Sequence, residues 1–91
     1  MQIQINGCKS PSLEELINKK FKKLAKYNDR IEEIKITLEV VKDEHKASAV
    51  VCAGGDFYGE AVSNDMYKTI DLLVNKLSKQ LNKNREIKQH L

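Results

Sequence analysis

Lysine and arginine are the residues of this 91-residue sequence whose number and spacing could support binding chemistry. Residues 18–30 contain six basic side chains and one acidic one. On a helix, at about 100° per residue, four of them fall within about 100° of one another: Lys19, Lys22, Lys23 and Lys26. A second set falls within about 80° on a later helix: Lys68, Lys76, Lys79 and Lys83. Because ammonium groups pair with phosphates, two such bands predict a polyanion-binding surface.

A single lysine band could equally be the solvated face of an ordinary helix, because lysine is a good helix former. The charge distribution favours binding. Residues 8–30 hold seven basic and three acidic side chains, residues 66–91 hold six and two, and residues 31–65 hold three and eight. Arg30, Arg85 and Lys88 extend the two bands. Lys20 falls on the apolar side of its helix, so we expect its stem along the core edge and its amine in water.

Histidine and cysteine are too few and too scattered to predict a metal or redox site. His45 falls in a predicted turn and His90 near the end of the sequence, and neither is spaced to a second ligand. Cys8 and Cys52 match no paired-cysteine spacing, which predicts two reduced thiols and a cytoplasmic location. No apolar run approaches the roughly 20 residues that span a bilayer. We therefore expect no metal, no cofactor and no membrane partner.

Glycines and carboxylates do not predict an enzyme. Gly54-Gly55 lacks the following lysine and helix of a phosphate loop, and so predicts a turn. The adjacent acids Glu32-Glu33 and Asp43-Glu44 are typical of solvated charge. An acylphosphatase-like enzyme of this size would need an arginine-bearing loop after its first strand, and residues 6–10 contain no arginine. No catalytic residue is predicted.

The first half of the chain predicts a strand followed by a helix. Residues 1–6 alternate apolar and polar side chains, as in a half-buried strand. Ser10 is a candidate N-cap and Pro11 suits a first helical position, so a helix is predicted over 11–28. Its apolar stripe has the i, i+3, i+4 spacing and comprises Leu13, Leu16, Ile17, Phe21, Leu24 and Tyr27.

The middle of the chain predicts three strands joined by tight turns. A long strand is predicted over 31–42, a turn over 43–46 and a second strand over 47–53, whose inward side chains are read as Ser48, Val50 and Cys52. Ala49 and Val51 leave that register open. Gly54 and Gly55 supply a hairpin turn, and the third strand directs Phe57, Gly59 and Ala61 to the core and Tyr58 outward.

The last segment predicts a second helix and completes the architecture. Asn64 or Asp65 caps it, and it buries Met66, Ile70, Leu73, Val74, Leu77 and Leu81. The predicted fold is a single α+β domain over 1–91 with β-α-β-β-β-α order, in which residues 83–91 form a frayed tail. It is a two-layer sandwich of a four-stranded sheet with both helices on one face, similar in layout to a double-stranded-RNA-binding domain.

Several segments resemble the hibernation promoting factor family of bacterial ribosome-binding proteins, over essentially the whole chain. They are MQIQINGCK, KKFKKLAKYNDRI, AGGDFYGEA and NDMYKTIDLLVNKLSKQLNK. The most specific element is Asp65-Met66-Tyr67 followed by Ile70-Asp71, Lys76-Leu77 and Gln80-Leu81. Asn28 and the helix entry Ser10-Pro11-Ser12 depart from the family pattern without affecting the basic face.

The resemblance implies a ribosome hibernation factor, with no catalysis. Its helical face would bind small-subunit ribosomal RNA in the messenger and transfer RNA channel, inhibit translation and favour inactive ribosome dimers in stationary phase. It implies a separate ribosome modulation factor as partner and a monomer off the ribosome. The predicted RNA-binding residues are Lys19, Lys20, Lys22, Lys23, Lys26, Arg30, Lys76, Lys79, Lys83, Arg85 and Lys88. A general double-stranded-RNA-binding module is the alternative.

Overall fold

A computed structural model describes residues 2–26 and 30–90, with the side chains of residues 83–90 outside the description. The elements are β1 (Gln2–Gly7), α1 (Pro11–Lys26), β2 (Glu33–Val41), β3 (Glu44–Cys52), β4 (Asp56–Ser63) and α2 (Met66–His90). The strands form one sheet in the order β1-β2-β3-β4, with β1 parallel to β2 and the other neighbours antiparallel. The predicted β-α-β-β-β-α fold is confirmed.

The entry to α1 is built as the sequence indicates. Ser10 accepts a hydrogen bond from the backbone N–H of Leu13 over 3.3 Å at its Oγ, and Pro11 is the first helical residue. Gly7 ends β1 with φ +97°, and a methyl group there would lie 2.0 Å from the carbonyl oxygen of Leu38. Only glycine fits this position, because both the backbone conformation and the space exclude a side chain.

The predicted register of β3 is wrong. The side chains that face the core are Ala47, Ala49 and Val51, whereas Ser48, Val50 and Cys52 are half-buried on the other face. Pairing explains the outcome: Ala47, Ala49 and Val51 lie opposite Leu38, Ile36 and Ile34 of β2, three residues that are at most 1% exposed. The small side chains therefore face the helices, which allows the helical layer to lie close to the sheet.

The turn predicted over 43–46 is also wrong, since only Lys42 and Asp43 separate β2 from β3. Lys42 adopts φ +56°, a conformation that a lysine seldom takes and that the sequence did not signal. β3 consequently begins at Glu44, three residues earlier than predicted, so that His45 lies within the strand, whereas β2 is shorter than the predicted 31–42. The second hairpin agrees with prediction: Gly54 has φ +73° and Gly55 φ +158°, between paired Cys52 and Asp56.

A partly buried hydrogen-bond network fixes the start of α2. Asp65 is the N-cap, accepting from the backbone N–H of Tyr67 over 3.1 Å at Oδ1. Thr69 is 0% exposed, and its Oγ1 lies 2.9 Å from the carbonyl oxygen of His45 and 3.0 Å from that of Asp65. The Oγ of Ser63 completes the cluster. The buried hydroxyl of Thr69 is thus satisfied although it is removed from water.

Both helices cover the same face of the sheet. The core side chains of α1, including Ile17 and Phe21, and those of α2, including Ile70 and Leu73, join the inward side chains of the strands in one cluster. Leu16 and Val74, predicted members of the stripes, are only partly buried. Tyr27 lies outside the described residues, as do the side chains and the last residue of the predicted frayed tail over 83–91. In the described part of the chain, no helix is long and apolar enough to cross a bilayer.

The two helices run in the same direction. α1 connects the parallel strands β1 and β2, so it runs opposite to both. Along α2, Lys76 contacts Glu60 and Gln80 contacts Tyr58, so α2 runs opposite to β4. Because β2 and β4 are each antiparallel to β3, they share one direction. The carboxyl ends of both helices therefore lie at the same end of the domain.

Candidate nucleic-acid interface

The lysine band of α1 is turned to solvent. Ile17, Phe21 and Leu24 are at most 8% exposed and hold one side of the helix on the sheet. The exposed positions on the opposite side include the four predicted ones: Lys19, Lys22, Lys23 and Lys26. The described part of the chain shows no hydrogen bond or ion pair for these four amines, so the band presents its charge to water.

Lys20 differs from its neighbours because it has an acidic partner. Its ammonium forms an ion pair with the carboxylate of Asp71, and the two side chains are 35% and 52% exposed. We expected the amine of Lys20 in water, and the ammonium instead meets a carboxylate at the surface. The sequence did not predict Asp71 as the partner, since the pair depends on how the two helices lie side by side.

The lysines of the predicted α2 band do not all have the same surroundings in the structure. Lys68 and Lys79 are exposed on the outer side of the helix. Lys76 lies at the side that faces β4, where its Nζ donates to the carbonyl oxygen of Glu60 over 2.8 Å. One turn further, Nε2 of Gln80 donates to the carbonyl oxygen of Tyr58 over 2.8 Å. Lys76 is therefore near the basic face but held against the sheet edge.

Arg30 lies where the chain enters β2, against the hairpin between β3 and β4. A methyl group placed on Gly54 would lie 3.9 Å from both Cδ and Nη1 of Arg30. The remaining predicted residues, Lys83, Arg85 and Lys88, occupy backbone positions in the last part of α2, and their side chains lie outside the described residues.

Two lysines of the α1 band lie at the carboxyl end of that helix. Lys23 and Lys26 occupy the last turn of α1. A helix carries a partial negative charge at its carboxyl end, which stabilises nearby cations by about 0.3–1 kcal/mol at a surface. Lys23 and Lys26 therefore lie where the dipole of α1 stabilises positive charge.

The line between the helices, which we call the seam, carries polar contacts that sequence reasoning missed. It is defined by Ser12 and Lys20 of α1 and by Tyr67 and Asp71 of α2. The Ser12 and Tyr67 hydroxyls lie 2.9 Å apart, and the Tyr67 ring remains 46% exposed. Of the motif Asp65-Met66-Tyr67, the first residue is the cap and the second is 4% exposed in the core. Capping and packing thus explain two of its three residues.

The other face of the sheet is uncovered and mainly acidic. Its outward side chains, by strand alternation, include five acids and two lysines: Glu33, Glu39, Glu44, Asp56, Glu60, Lys35 and Lys46. Tyr58 points outward as predicted and is 56% exposed. Its hydroxyl donates to Oε2 of Glu60 over 2.9 Å, and Nζ of Lys46 lies 3.3 Å from the same oxygen. The hydrogen bond from Tyr58, and then the contact with Lys46, lower the pKa of Glu60.

Among the residues that are described, no group of three or more histidines, cysteines or carboxylates is placed to hold a metal ion. Cys8 and Cys52 are both free thiols. Burial, together with a hydrogen bond to Asp56, raises the pKa of the Cys52 thiol.

The architecture defines the class of the protein: it is an α+β sandwich with one basic helical face and one acidic sheet face. The family model described as "Sigma 54 modulation protein / S30EA ribosomal protein" matches residues 3–89. The chain belongs to this family, and the resemblance noted in the sequence is confirmed.

Curated relatives and solved structures agree with this assignment. The chain is 38% identical over 95 residues to the ribosome hibernation promoting factor of Escherichia coli K12, covering 99% of this chain and 100% of the relative. It is 32% identical over 90 residues to the protein of that name from Azotobacter vinelandii, covering 94% of this chain and 84% of the relative. A ribosomal subunit interface protein from Coxiella burnetii superposes with a TM-score of 0.87 at 37% identity, covering 94% and 99% of the two chains.

Proposed function

We propose that this protein is a ribosome hibernation factor that docks its basic helical face on ribosomal RNA and acts without catalysis. The observation that carries the proposal is the set of exposed lysines on the helical layer, opposite a sheet face with an excess of acid. The names of the relatives, a hibernation promoting factor and a subunit interface protein, support the ribosome as the target. The cytoplasm is the compartment in which this partner is found.

The finer proposal places the helical face in the channel of the small subunit that messenger and transfer RNA use. Occupation of that channel would inhibit translation and promote inactive ribosome dimers in stationary phase, together with a separate ribosome modulation factor. The protein itself would be a monomer off the ribosome. The RNA contacts would come from α1 and the chain after it through Lys19, Lys20, Lys22, Lys23, Lys26 and Arg30. Those from α2 would be Lys76, Lys79, Lys83, Arg85 and Lys88.

Two of these residues already have a partner within the protein. Lys20 is paired with Asp71, and Lys76 donates to the Glu60 carbonyl oxygen. Lys19, Lys22, Lys23 and Lys26 can meet phosphates directly, because each is exposed on α1. We therefore expect this exposed set to contribute more to the salt dependence of binding than Lys20 or Lys76.

Co-sedimentation with isolated small subunits over a series of salt concentrations tests the proposal. If six to ten phosphates are contacted, affinity should fall by about 10³ to 10⁵ between 50 and 200 mM salt. The double variant Lys23→Glu, Lys79→Glu should bind weakly. A matched control, Lys35→Glu with Lys42→Glu, makes the same change in net charge away from the helical face and should bind as wild type does. Binding that ignores salt, or equal losses in both variants, would refute docking through this face.

Competition with free duplex RNA separates this proposal from a general double-stranded-RNA binder. A hibernation factor should stay on small subunits when excess duplex RNA of arbitrary sequence is added, because its contacts are arranged for one site. A general binder would be displaced efficiently, since every duplex offers it the same backbone. Sucrose-gradient profiles of ribosomes from stationary cells with and without the protein then test dimer formation.

A further inference from the structure

The seam interrupts the basic face with a carboxylate. Asp71 is 52% exposed and pairs with Lys20, so it sits in the helical layer between the lysines of α1 and those of α2. Next to it along the seam, the hydroxyls of Ser12 and Tyr67 meet without any charge. The helical face therefore consists of two basic strips, one on each helix, separated by a line that carries no net charge.

This arrangement should weaken the binding of some RNA ligands and leave the binding of others unchanged. Packed helices lie about 8–10 Å apart, so the two strips can each follow a different segment of phosphate backbone. A phosphate that lay on the seam would meet the Asp71 carboxylate and would have to share the Lys20 ammonium with it. Like charges a few ångströms apart repel measurably even near a protein surface.

We propose that Asp71 is a specificity-determining residue, which lowers affinity for RNA whose phosphates cross the seam while sparing RNA that engages the two outer strips. This inference rests on the proposed function and names the feature of RNA that the same surface selects. The favoured ligand is a folded RNA that presents two separate backbone segments to the helical layer. A regular duplex, which can approach in many registers and places phosphates on the seam in most of them, is disfavoured.

Asp71→Asn tests the inference in the full chain. The substitution is nearly isosteric, and an exposed ion pair contributes little stability, so the fold should persist. Affinity is measured for isolated small subunits and for a short duplex RNA of arbitrary sequence, each at several salt concentrations. Glu15→Gln is the matched control, because it removes one carboxylate from an exposed position of α1 away from the seam.

We expect Asp71→Asn to raise affinity for the duplex about fivefold at low salt, since one repulsive group is removed and one ammonium is released. The salt slope for the duplex should steepen by about one phosphate contact, roughly 0.9 in log–log form. Affinity for small subunits should change less than twofold. Glu15→Gln should raise duplex affinity less and leave the slope unchanged. In a Lys20→Met background the gain from Asp71→Asn should be smaller, because no ammonium is then released.

Two results would overturn the inference alone: an equal gain for duplex and small subunits, or a gain no larger than that of Glu15→Gln. An undiminished gain in the Lys20→Met background would overturn the role of Lys20 as the partner. If the wild-type protein did not bind small subunits, the proposed function would fail and this inference would fail with it. The wild-type measurement therefore distinguishes the two failures.

Discussion

Lys76 donates a hydrogen bond from Nζ to the main-chain carbonyl oxygen of Glu60 over 2.8 Å. Glu60 belongs to β4, an edge strand of the sheet, and Gln80 makes the same kind of bond to Tyr58 one helical turn later. Unpaired groups on an edge strand are a template for pairing with another chain. A residue that the sequence assigned to a binding surface therefore also protects the sheet edge.

Lys76→Met should consequently lower the free energy of unfolding by about 0.5–1.5 kcal/mol, the usual net value of an intramolecular hydrogen bond. Lys79→Met is the control, because within the described residues Lys79 is exposed and makes no hydrogen bond or ion pair. It should change stability by less than about 0.5 kcal/mol. Urea unfolding of the two variants measures the difference, and equal stabilities would contradict the structural role of Lys76.

Gly59 is a contact point between sheet and helix. A methyl group at this position would lie 2.9 Å from Cδ2 of Leu77 and 3.2 Å from Cδ1 of Leu73, both 0% exposed. We expect Gly59→Ala to destabilise the fold by about 1–3 kcal/mol through overpacking. In a Leu77→Ala background the same change should cost less, because the cavity admits the methyl group. Additive costs in the double variant would count against a direct clash.

Thr69 is a buried polar residue whose hydroxyl reaches the carbonyl oxygens of His45 and Asp65. Replacing it by valine keeps the shape but removes a buried hydroxyl from the network, at a cost of about 1–3 kcal/mol. The carbonyl oxygen of Asp65 still accepts from the Oγ of Ser63 and the backbone N–H of Thr69, so the loss falls mainly on the bond to His45. Thr37→Val makes the same chemical change at an exposed position of β2 and should alter stability by less than about 0.5 kcal/mol. Thermal unfolding of the two variants compares them, and a neutral Thr69→Val would exclude a structural role for the network.

Glu60 should titrate at a lower pH than an ordinary glutamate. The hydrogen bond from Tyr58, followed by the contact with Lys46, lowers its pKa below the ordinary value of 4.5. Because the folded pKa is the lower one, this interaction stabilises the fold above pH 4.5, and the contribution is lost as pH falls through the folded value. Carboxyl NMR titration of Tyr58→Phe should show the Glu60 midpoint moving up towards 4.5. Tyr67→Phe, which alters a tyrosine of the helical layer, should leave that midpoint in place.

Much of the architecture could be predicted because local signals agreed with the final packing. Ser10 and Pro11 begin a helix in the sequence and in the structure, and Asp65 is one of the two residues predicted as the second cap. Glycines at 54 and 55 have the positive φ values that a hairpin requires. In each case the physical cause lies within a few residues of the chain, where sequence reasoning is strongest.

The register of β3 could not be read in the same way. Residues 47–53 carry small or apolar side chains on both faces, so alternation alone does not identify the buried set. Pairing with Ile34, Ile36 and Leu38 decides it, and those residues are distant in sequence. The positive φ of Lys42 was hidden for another reason, since no glycine or asparagine marks that turn.

Side-chain partners across elements were the least predictable part of the candidate site. Helical periodicity placed Lys19, Lys22, Lys23 and Lys26 on one exposed face, and the structure agrees. The same periodicity grouped Lys76 with Lys79 and could not separate the one that reaches the sheet edge. The partnership of Lys20 with Asp71 depends on the position of one helix beside the other, which neither helix encodes alone.

The opposition of a basic helical layer and an acidic sheet face gives the domain a dipole moment across its two layers. Near any large anion such a molecule experiences a torque as well as an attraction, and it turns its lysines forward before contact. Encounters would then begin in a narrow range of orientations, so ionic strength should govern how often a collision is productive. The acids of the sheet contact no ligand in this arrangement. By contributing to the dipole moment, they would nevertheless raise the rate of productive association.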